Sequence, residues 1–320
     1  MSALFSCSNL TKRLEKRDSR AEDKGQTFTL KDVSFDIEAG EIIGLIGRNG
    51  CGKTTLIRTI LGLYGLNGER DKGRLELAGY KSRSDQKEYR KNLGYVMIDN
   101  PFNNYVIPVQ IGETYGCFYD GFSMDGYTKR LDEYGIYSGR KLYSGRKSKS
   151  NDMEELSEGE KLKVQLAFAL SYDNRLMVMD EPTGNLDVDF REDFYEEIRR
   201  YVEDEQHSVL ISSHIIEELE MIADKILWIG RRDSADEREG YVRFYGTQDE
   251  LKMQYRMVEA EQSIIDMVDG SMIVWREVGE NYAKALVRVT DRPLPEAVAK
   301  HSRFADLKEI FCFSEKEEMA

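Results

Sequence analysis

A glycine-rich loop at residues 47–54 constrains the fold of this chain more than any other segment. The loop reads G-R-N-G-C-G-K-T, which is the Gly-x-x-x-x-Gly-Lys-Thr spacing of a phosphate-binding loop. The apolar run at residues 41–46 before it is typical of a buried strand, and residues 54–62 after it predict a helix. A strand, a phosphate-binding loop and a helix in this order predict an α/β fold that binds a nucleoside triphosphate.

The residue types in this loop suit a polyphosphate. Glycines permit positive φ angles and a close backbone approach, so N–H groups and the positive end of the helix can point at phosphate oxygens. Lys53 adds a cation and Thr54 a hydroxyl ligand for Mg²⁺, whereas Cys51 is either a reactive thiol or simply a small residue that fits. A chance glycine-rich turn is the alternative, and the flanking strand and helix disfavour it. The predicted phosphate-binding residues are Gly47, Arg48, Asn49, Gly50, Cys51, Gly52, Lys53, Thr54 and Thr55.

Composition excludes several other classes of protein. The formal net charge of −13 over 320 residues disfavours an electrostatic, sequence-independent nucleic-acid binder. The four cysteines form no C-x-x-C pair, so neither a zinc site nor a disulfide scaffold is predicted, and a reducing compartment is expected. No apolar stretch approaches the roughly 18–20 residues that span a bilayer, and the N-terminus lacks a signal-peptide pattern. We therefore expect another protein to anchor this chain if it works at a membrane.

The rest of the chain divides into segments of different character. Residues 27–37 alternate in polarity and predict a half-exposed strand before the loop, in an antiparallel edge region. Residues 12–24 are almost wholly polar and predict a solvated loop, with contact to a membrane surface as a weaker alternative. A short tandem repeat, Y-S-G-R-K at residues 137–141 and 143–147, predicts an exposed loop. From about residue 256 onward, short strand-like runs and one helical run predict a small separate α+β domain.

Polar residues follow two buried strands in the second half of the chain. Asp180 and Glu181 come directly after the apolar run at residues 176–179, and His214 follows a second run at residues 209–213. Strand ends at one edge of an open α/β sheet are where ligands bind in such folds. The first of these strands is preceded by a predicted helix, which begins with a capping box formed by Ser157 and Glu160.

Five motifs in order give the chain a family resemblance. They are the phosphate-binding loop, L-S-E-G-E at residues 156–160, R-L-M-V-M-D-E-P at 175–182, G-N-L-D at 184–187, and His214. Together they resemble the ATP-binding subunit of an ABC transporter over residues 5–250, and most of all the single-cassette subunits that pair with a separate membrane permease. The resemblance implies an α/β P-loop NTPase ABC cassette with an antiparallel β subdomain and a helical subdomain at about 100–170. The small C-terminal α+β extension at 256–320 lies outside it.

The resemblance also implies roles for residues outside the loop. Asp180 and Thr54 would hold Mg²⁺, and Glu181 would activate or orient the attacking water with help from Lys53. His214 would contact the γ-phosphate, and Asp187 would line the contact between two cassettes. The signature segment would meet the ATP bound by the opposite subunit. Its residues are Ser157, Glu158, Gly159 and Glu160.

Three segments depart from the family pattern. Glu158 and Glu160 stand where glycine and glutamine are commonest, and Glu160 is interpreted as a helix cap because a carboxylate would repel the γ-phosphate. The Q-loop glutamine aligns with Ile98, and we hypothesise that Asp99 replaces it. The aromatic residue that often stacks on adenine aligns with Leu14, and Phe28 is interpreted as a core residue.

The resemblance implies an ATPase whose cofactors are ATP and Mg²⁺. It would form a homodimer or a heterodimer with a related cassette and drive transport, expected to be export, through a membrane permease. It would therefore lie peripherally on the cytoplasmic face of the cell membrane, with no nucleic-acid partner. The alternative is a soluble or regulatory ABC-type ATPase that is not coupled to transport. DNA-repair and translation ABC proteins are disfavoured because the chain has neither a long coiled coil nor a second cassette, and a kinase or GTPase would leave the signature unexplained.

Overall fold

The computed structural model describes residues 3–14, 27–136, 152–234, 237–280, 282–289 and 292–317. The strands of its larger sheet are β1 (Phe5–Leu14), β2 (Thr27–Ile37), β3 (Ile42–Ile46), β4 (Lys72–Leu77), β5 (Tyr80–Lys81), β6 (Leu93–Met97), β7 (Leu176–Asp180), β8 (Ser208–Ser212), β9 (Lys225–Asp233) and β10 (Glu237–Thr247). Those of the smaller sheet are β11 (Tyr255–Ala260), β12 (Ile273–Val278), β13 (Ala283–Arg288) and β14 (Ser302–Phe304). The helices are α1 (Lys53–Ile60), α2 (Gln86–Lys91), α3 (Pro108–Tyr115), α4 (Met124–Glu133), α5 (Glu158–Ala169), α6 (Val188–Val202), α7 (Ile216–Ile222), α8 (Gln248–Met253), α9 (Gln262–Ile265), α10 (Glu296–Ala299) and α11 (Leu307–Glu317).

The larger sheet combines a parallel centre with an antiparallel edge. Its strand order is β5-β4-β1-β2-β10-β9-β3-β8-β7-β6. From β9 to β6 the strands run parallel, and β3, β7 and β8 are buried along their whole length because helices cover both faces. The α/β class and the buried strands at these positions are therefore as the apolar runs predict.

The antiparallel edge corrects one sequence prediction. Strand β1 pairs with β2 and β4 and continues to Leu14, so the prediction of a solvated loop is wrong for residues 12–14. Lys12 lies within the strand, and its ammonium contacts a largely buried Asp71 carboxylate at 2.7 Å. A lysine stem can pack along a sheet while its charge finds a partner, which polarity alone does not reveal. The rest of the predicted loop, residues 15–26, lies outside the described residues.

A helical layer lies beyond strand β6. Helices α3, α4 and α5 pack around Phe168, whose ring forms an edge-on contact with Phe102 and Tyr127. Buried aromatic rings in such arrangements contribute large apolar areas and fix the relative positions of the helices. The predicted exposed repeat at 137–141 and 143–147 lies outside the described residues.

The C-terminal segment is joined to the larger sheet by a common core. The smaller sheet has the order β12-β13-β11-β14 and is antiparallel. Helix α11 places Leu307 and Ile310 in the same buried cluster as Leu219 and Trp228 of the α/β part. Helix α11 thus covers the larger sheet with its apolar face, while the smaller sheet keeps a cluster of its own around Val258 and Val287.

Candidate functional site

A cleft of about 560 Å³ lies over the glycine-rich loop. Loop residues form its floor, and residues from β1, β2, β10 and the end of β7 form its walls. The lining residues are Leu14, Phe28, Arg48, Asn49, Gly50, Gly52, Lys53, Thr54, Thr55, Glu181 and Arg238. Most of the predicted phosphate-binding residues are thus brought together in one concave site, which is the usual form of a small-molecule site.

Two glycines are fixed in the loop by close packing and by backbone conformation. Gly52 has a φ of 112°, and a Cβ on it would lie 2.7 Å from the ring of Phe28. A Cβ on Gly47 would lie 2.4 Å from the carbonyl oxygen of Ile229. Any larger residue would displace the loop, so these positions require glycine for physical reasons.

The ammonium group of Lys53 is folded over the loop. It donates a hydrogen bond to the Gly47 carbonyl at 2.6 Å, and the residue is buried. Cys51 beside it is fully buried, and burial raises the pKa of its thiol, so the interpretation as a small packing residue is the one that the geometry favours. A phosphate oxygen would give Lys53 a charged acceptor in place of a neutral carbonyl, which makes a stronger hydrogen bond.

The ends of β7 and β8 carry the predicted residues Asp180, Glu181 and His214, and of these three Glu181 lines the cleft. Asp180 pairs with Ser212 across the two parallel strands, and the Ser212 hydroxyl donates to the Asp180 carboxylate at 2.7 Å. The Glu181 N–H lies 3.1 Å from both the hydroxyl and the carbonyl oxygen of Ser212. Glu181 has a φ of 51°, and its carboxylate contacts the Nε2 atom of His214. The expected meeting of these strand ends at one sheet edge is therefore observed.

A buried glutamate holds the turn that follows β7. Glu218 of α7 accepts a hydrogen bond from the Thr183 hydroxyl at 2.7 Å and pairs with Arg191 of α6 at 3.2 Å. A buried carboxylate needs such partners because an unpaired charge is costly away from water. The pairing fixes the turn after β7 against the helix that follows His214. Sequence analysis missed both Glu218 and Ser212, although Ser212 stands at a strand end, where ligand-binding residues are sought.

The signature segment does not line the cleft, and its polar groups bond to one another. The Ser157 hydroxyl and N–H both donate to the Glu160 carboxylate at 2.8 Å, and the Glu160 N–H donates back to the hydroxyl at 3.2 Å. The predicted capping box is confirmed. A Cβ on Gly159 would lie 2.4 Å from the carbonyl oxygen of Asn185, so a larger residue here would clash with the backbone. Glu158 pairs with Lys161 at 2.7 Å.

Asp187 connects the signature helix with the helix after the next strand. Its carboxylate accepts the Phe190 N–H at 2.8 Å, as an N-cap of α6, and lies 3.0 Å from the ammonium of Lys163 on α5. These hydrogen bonds, from the backbone first and Lys163 second, lower the pKa of Asp187. The residue thus has structural partners within the chain.

The Q-loop position is not part of the cleft. Ile98 is partly exposed, and Asp99 is 78% exposed with its carboxylate 2.7 Å from the guanidinium of Arg58. Met97 just before them is fixed through both its N–H and its carbonyl by the buried amide of Gln165, at 2.9 Å each. The structure does not bring Asp99 to the loop residues, and its role in place of glutamine stays a hypothesis.

Phe28, interpreted from the sequence as a core residue, also lies at one end of the cleft. Phe28 is partly buried against the core, but it also lines the cleft beside Leu14, with which it pairs across β1 and β2. Arg238 lines the same end from β10. Sequence analysis did not single out Arg238, because only the pairing of distant strands brings it here.

The C-terminal helix also reaches the loop. The Glu315 carboxylate of α11 pairs with the Arg48 guanidinium at 3.1 Å and accepts from the indole N–H of Trp228 at 3.3 Å. Both Glu315 and Trp228 are buried. The last described turn of the chain therefore touches the second residue of the phosphate-binding loop.

Two absences can be stated for the described ranges alone. No helix within them is long and apolar enough to cross a membrane. Among the same residues no group of three His, Cys, Asp or Glu side chains is placed to hold a metal ion.

Comparison with family models and curated proteins places the chain among similar sequences. The model of the ABC transporter family matches residues 30–184. The chain is 33% identical over 210 residues to the ABC transporter ATP-binding protein YtrB of Bacillus subtilis (strain 168), a match that spans 65% of each chain. It is 30% identical over 217 residues to the ABC transporter ATP-binding protein NatA of the same organism, covering 66% of this chain and 82% of NatA. It is also 30% identical over 211 residues to the Nod factor export ATP-binding protein I of Rhizobium leguminosarum bv. viciae, covering 65% of this chain and 64% of that protein.

Solved structures resemble the fold. An ATP-binding subunit of an ABC transporter superposes with a TM-score of 0.60 at 24% identity, covering 78% of this chain and 92% of the other. A dimeric post-hydrolysis state of the ATP-binding cassette MJ0796, bound to ADP and Pi, superposes with a TM-score of 0.57 at 20% identity. That match covers 76% of this chain and 98% of the cassette.

Proposed function

Because the chain belongs to the ABC transporter ATP-binding proteins, a family of ATPases, we propose that it hydrolyses MgATP in the cleft to drive transport through a separate membrane permease. The observation that carries the proposal is the arrangement of the cleft. Its floor is a phosphate-binding loop with Lys53, and its wall is Glu181 in contact with His214. A cation for the phosphates and a carboxylate for the attacking water are the two groups that triphosphate hydrolysis needs.

The phosphates are bound by the loop and a magnesium ion. Backbone N–H groups between Gly47 and Thr54 surround the phosphate oxygens, and Lys53 turns from the Gly47 carbonyl toward them. Thr54 is exposed in the cleft, and together with Asp180 it offers the hydroxyl and carboxylate oxygens that Mg²⁺ prefers. When bound, the ion neutralises charge on the β- and γ-phosphate oxygens. Within the chain, Ser212 orients Asp180 for this role.

Glu181 acts on the attacking water. Its carboxylate accepts the water proton as the oxygen bonds to the γ-phosphorus, and the bond to the bridging oxygen breaks so that ADP leaves with the electron pair. The left-handed backbone of Glu181 costs about 1–3 kcal/mol, which the two contacts with Ser212 offset while fixing the direction of the side chain. His214 is 51% exposed and contacts this carboxylate, so it is placed to reach a γ-phosphate that lies beside Glu181.

The complete site requires two cassettes. Ser157 and the N-terminus of α5 do not line the cleft of their own chain, and a helix N-terminus of this length is an anion-binding group. A second cassette, either identical or related, brings its own signature helix to the γ-phosphate. The dimeric form of a cassette with the same fold supports this arrangement.

An apolar groove beside the Q-loop position is the docking surface for the permease. It has a volume of about 200 Å³ and is lined in part by Leu61, Leu63, Tyr95 and Met97. Leu63 is 61% exposed, so the groove offers apolar surface that a partner can cover. We assign the groove to a short apolar segment of the permease, which holds the chain at the cytoplasmic face of the membrane. The relative named for Nod factor export supports the direction of transport.

The test traps the closed dimer in native membranes. Glu181→Gln keeps the size of the side chain but removes its basicity, so we expect ATP binding with hydrolysis reduced at least a hundredfold. The trapped variant is expected to co-purify with one integral membrane protein from its own cells. A second preparation that also carries Leu63→Asp is expected to bind ATP equally and to lose that partner. Recovery of the first preparation only as free dimer would support a regulatory or uncoupled ATPase, and wild-type hydrolysis no faster than that of the variant would overturn the assignment of Glu181.

A further inference from the structure

Three neighbouring strands each contribute one side chain to the same end of the cleft. Leu14 pairs with Phe28 across the antiparallel strands β1 and β2, and Arg238 pairs with Phe28 across the parallel strands β10 and β2. Residues that pair directly on neighbouring strands project to the same face of a sheet. All three also line the cleft. They therefore form a row, here called the base row, with an aliphatic, an aromatic and a cationic member.

The base row is held rigidly against the phosphate-binding loop. A Cβ on Gly240, two residues after Arg238, would lie 2.1 Å from the carbonyl oxygen of Cys51, so β10 runs directly over the loop. The residues on either side of Arg238 are fixed to β2, because Glu237 accepts from the Thr29 hydroxyl at 2.5 Å and Glu239 pairs with Lys31 at 2.8 Å. The position of Arg238 relative to the phosphates is thus set by backbone contacts and cross-strand pairs.

Within the described residues, Arg238 differs from its neighbours in having no partner. Its side chain is exposed, and no hydrogen bond or ion pair of its guanidinium is found within the described part of the chain. Arg232 of the same hairpin, in contrast, stacks over Tyr241 at 4.0 Å, and Arg231 donates to the Asn49 carbonyl at 3.0 Å. A guanidinium offers donors in a planar fork and is attracted to aromatic faces. An unpaired one beside Phe28 in a nucleotide-sized cleft suits a planar ligand that carries acceptor atoms.

We propose that Arg238 is a nucleotide-binding residue that contacts the purine base against Phe28, so that the β9–β10 hairpin supplies part of the base site. The proposal rests on the nucleotide site proposed above. A purine presents a flat π-system to Phe28 and Leu14 and ring-nitrogen acceptors to Arg238. The guanidinium donates only, so it contacts N7 of either purine and also O6 of guanine, whereas the amino group of adenine offers it no acceptor. Arg238 therefore binds the base without selecting adenine over guanine.

Binding of ADP, GDP and pyrophosphate to the full chain with Mg²⁺ tests the proposal. Arg238→Ala is expected to weaken ADP binding about fivefold to tenfold, which lies within the net contribution of one hydrogen bond from the guanidinium to the base. The loss for GDP is expected to be at least as large, and pyrophosphate binding is expected to stay within twofold of the wild type. Arg238→Lys, which keeps the charge but lacks the planar fork, is expected to fall between the wild type and the alanine variant.

The matched control is Arg232→Ala, which removes an arginine from the same hairpin outside the cleft. It is expected to bind all three ligands as the wild type does, which separates loss of a contact from disturbance of the hairpin. An equal loss of pyrophosphate binding would overturn the proposal in favour of a phosphate contact, and unchanged ADP and GDP binding would also overturn it. If the wild type binds none of the three ligands, the nucleotide site itself is wrong, and that result is distinct from a failure of Arg238 alone.

Discussion

Two parts of this chain differ in the hydrogen-bond partners of their polar groups. The loop half is the phosphate-binding loop at residues 47–54, and the signature half is the segment at residues 157–160 where α5 begins. In the loop half, Lys53 interacts only with neutral carbonyl groups, which a phosphate can replace. In the signature half, both polar groups of Ser157 donate to the carboxylate of Glu160. One half is thus open to an anion, whereas the other already holds an anionic group of its own at the helix N-terminus. If two cassettes close on ATP as proposed above, this difference predicts that the signature half limits closure.

Replacing Glu160 is expected to reduce this difference and to have the largest effect. Glu160→Gln keeps a side chain that can form the capping box but removes the negative charge that would face the partner's γ-phosphate. Two like charges near a partly exposed site repel by about 1 kcal/mol, so we expect ATP hydrolysis per dimer to rise about fivefold. Steady-state hydrolysis measured over a range of protein concentrations checks this.

The matched control for Glu160 is Glu133→Gln, which removes an equivalent carboxylate at the exposed end of α4. It is expected to leave the rate and its dependence on protein concentration unchanged. Equal hydrolysis by wild type and Glu160→Gln, with unchanged dimerisation, would mean that the carboxylate points away from the partner's phosphate and that the two halves do not differ in this respect.

A residue of the C-terminal helix α11 allows the comparison to be tested in the loop half. The Glu315 carboxylate lies 3.1 Å from the Arg48 guanidinium, so it places a negative charge beside the phosphate-binding loop. Glu315→Gln removes that charge but can still accept from Trp228, so we expect the KM for ATP to fall about twofold to threefold with kcat unchanged within twofold. Lys308 of the same helix forms an exposed pair with Glu217 of α7, so Glu217→Gln is the control and is expected to change neither constant. A rise in KM after Glu315→Gln would show that the ion pair positions the loop for ATP.

The parts of this structure that sequence could predict are local ones. The loop spacing, the capping box of Ser157 and the buried run of β7 each depend on residues that are close in the chain. The base row was not predicted because it depends on the register of β10 beside β2, more than two hundred residues away in the chain. The contact of Glu315 with Arg48 has the same cause, since helix packing is set by the shared core and not by local pattern. The interpretation of Phe28 as a core residue was incomplete for a related reason, because one ring can pack against the core and still line a cleft.

Asp99 follows the position where the family has its Q-loop glutamine, and its replacement is expected to have the smallest effect. The hypothesis from sequence gives Asp99 the role of the absent glutamine, whereas the structure pairs its exposed carboxylate with Arg58 at 2.7 Å outside the cleft. An exposed ion pair contributes about 0–1 kcal/mol, so Asp99→Ala is expected to change ATP hydrolysis and its Mg²⁺ dependence by less than twofold. Asp120→Ala, which breaks an exposed pair with Lys91 elsewhere on the surface, is the control for general loss of charge. If Asp99→Ala instead lowers hydrolysis more than tenfold and shifts the Mg²⁺ dependence while the control does not, then the Arg58 pair must open on nucleotide binding. Asp99 would in that case belong to the nucleotide site, because only a group near the phosphates can change the Mg²⁺ concentration that hydrolysis requires.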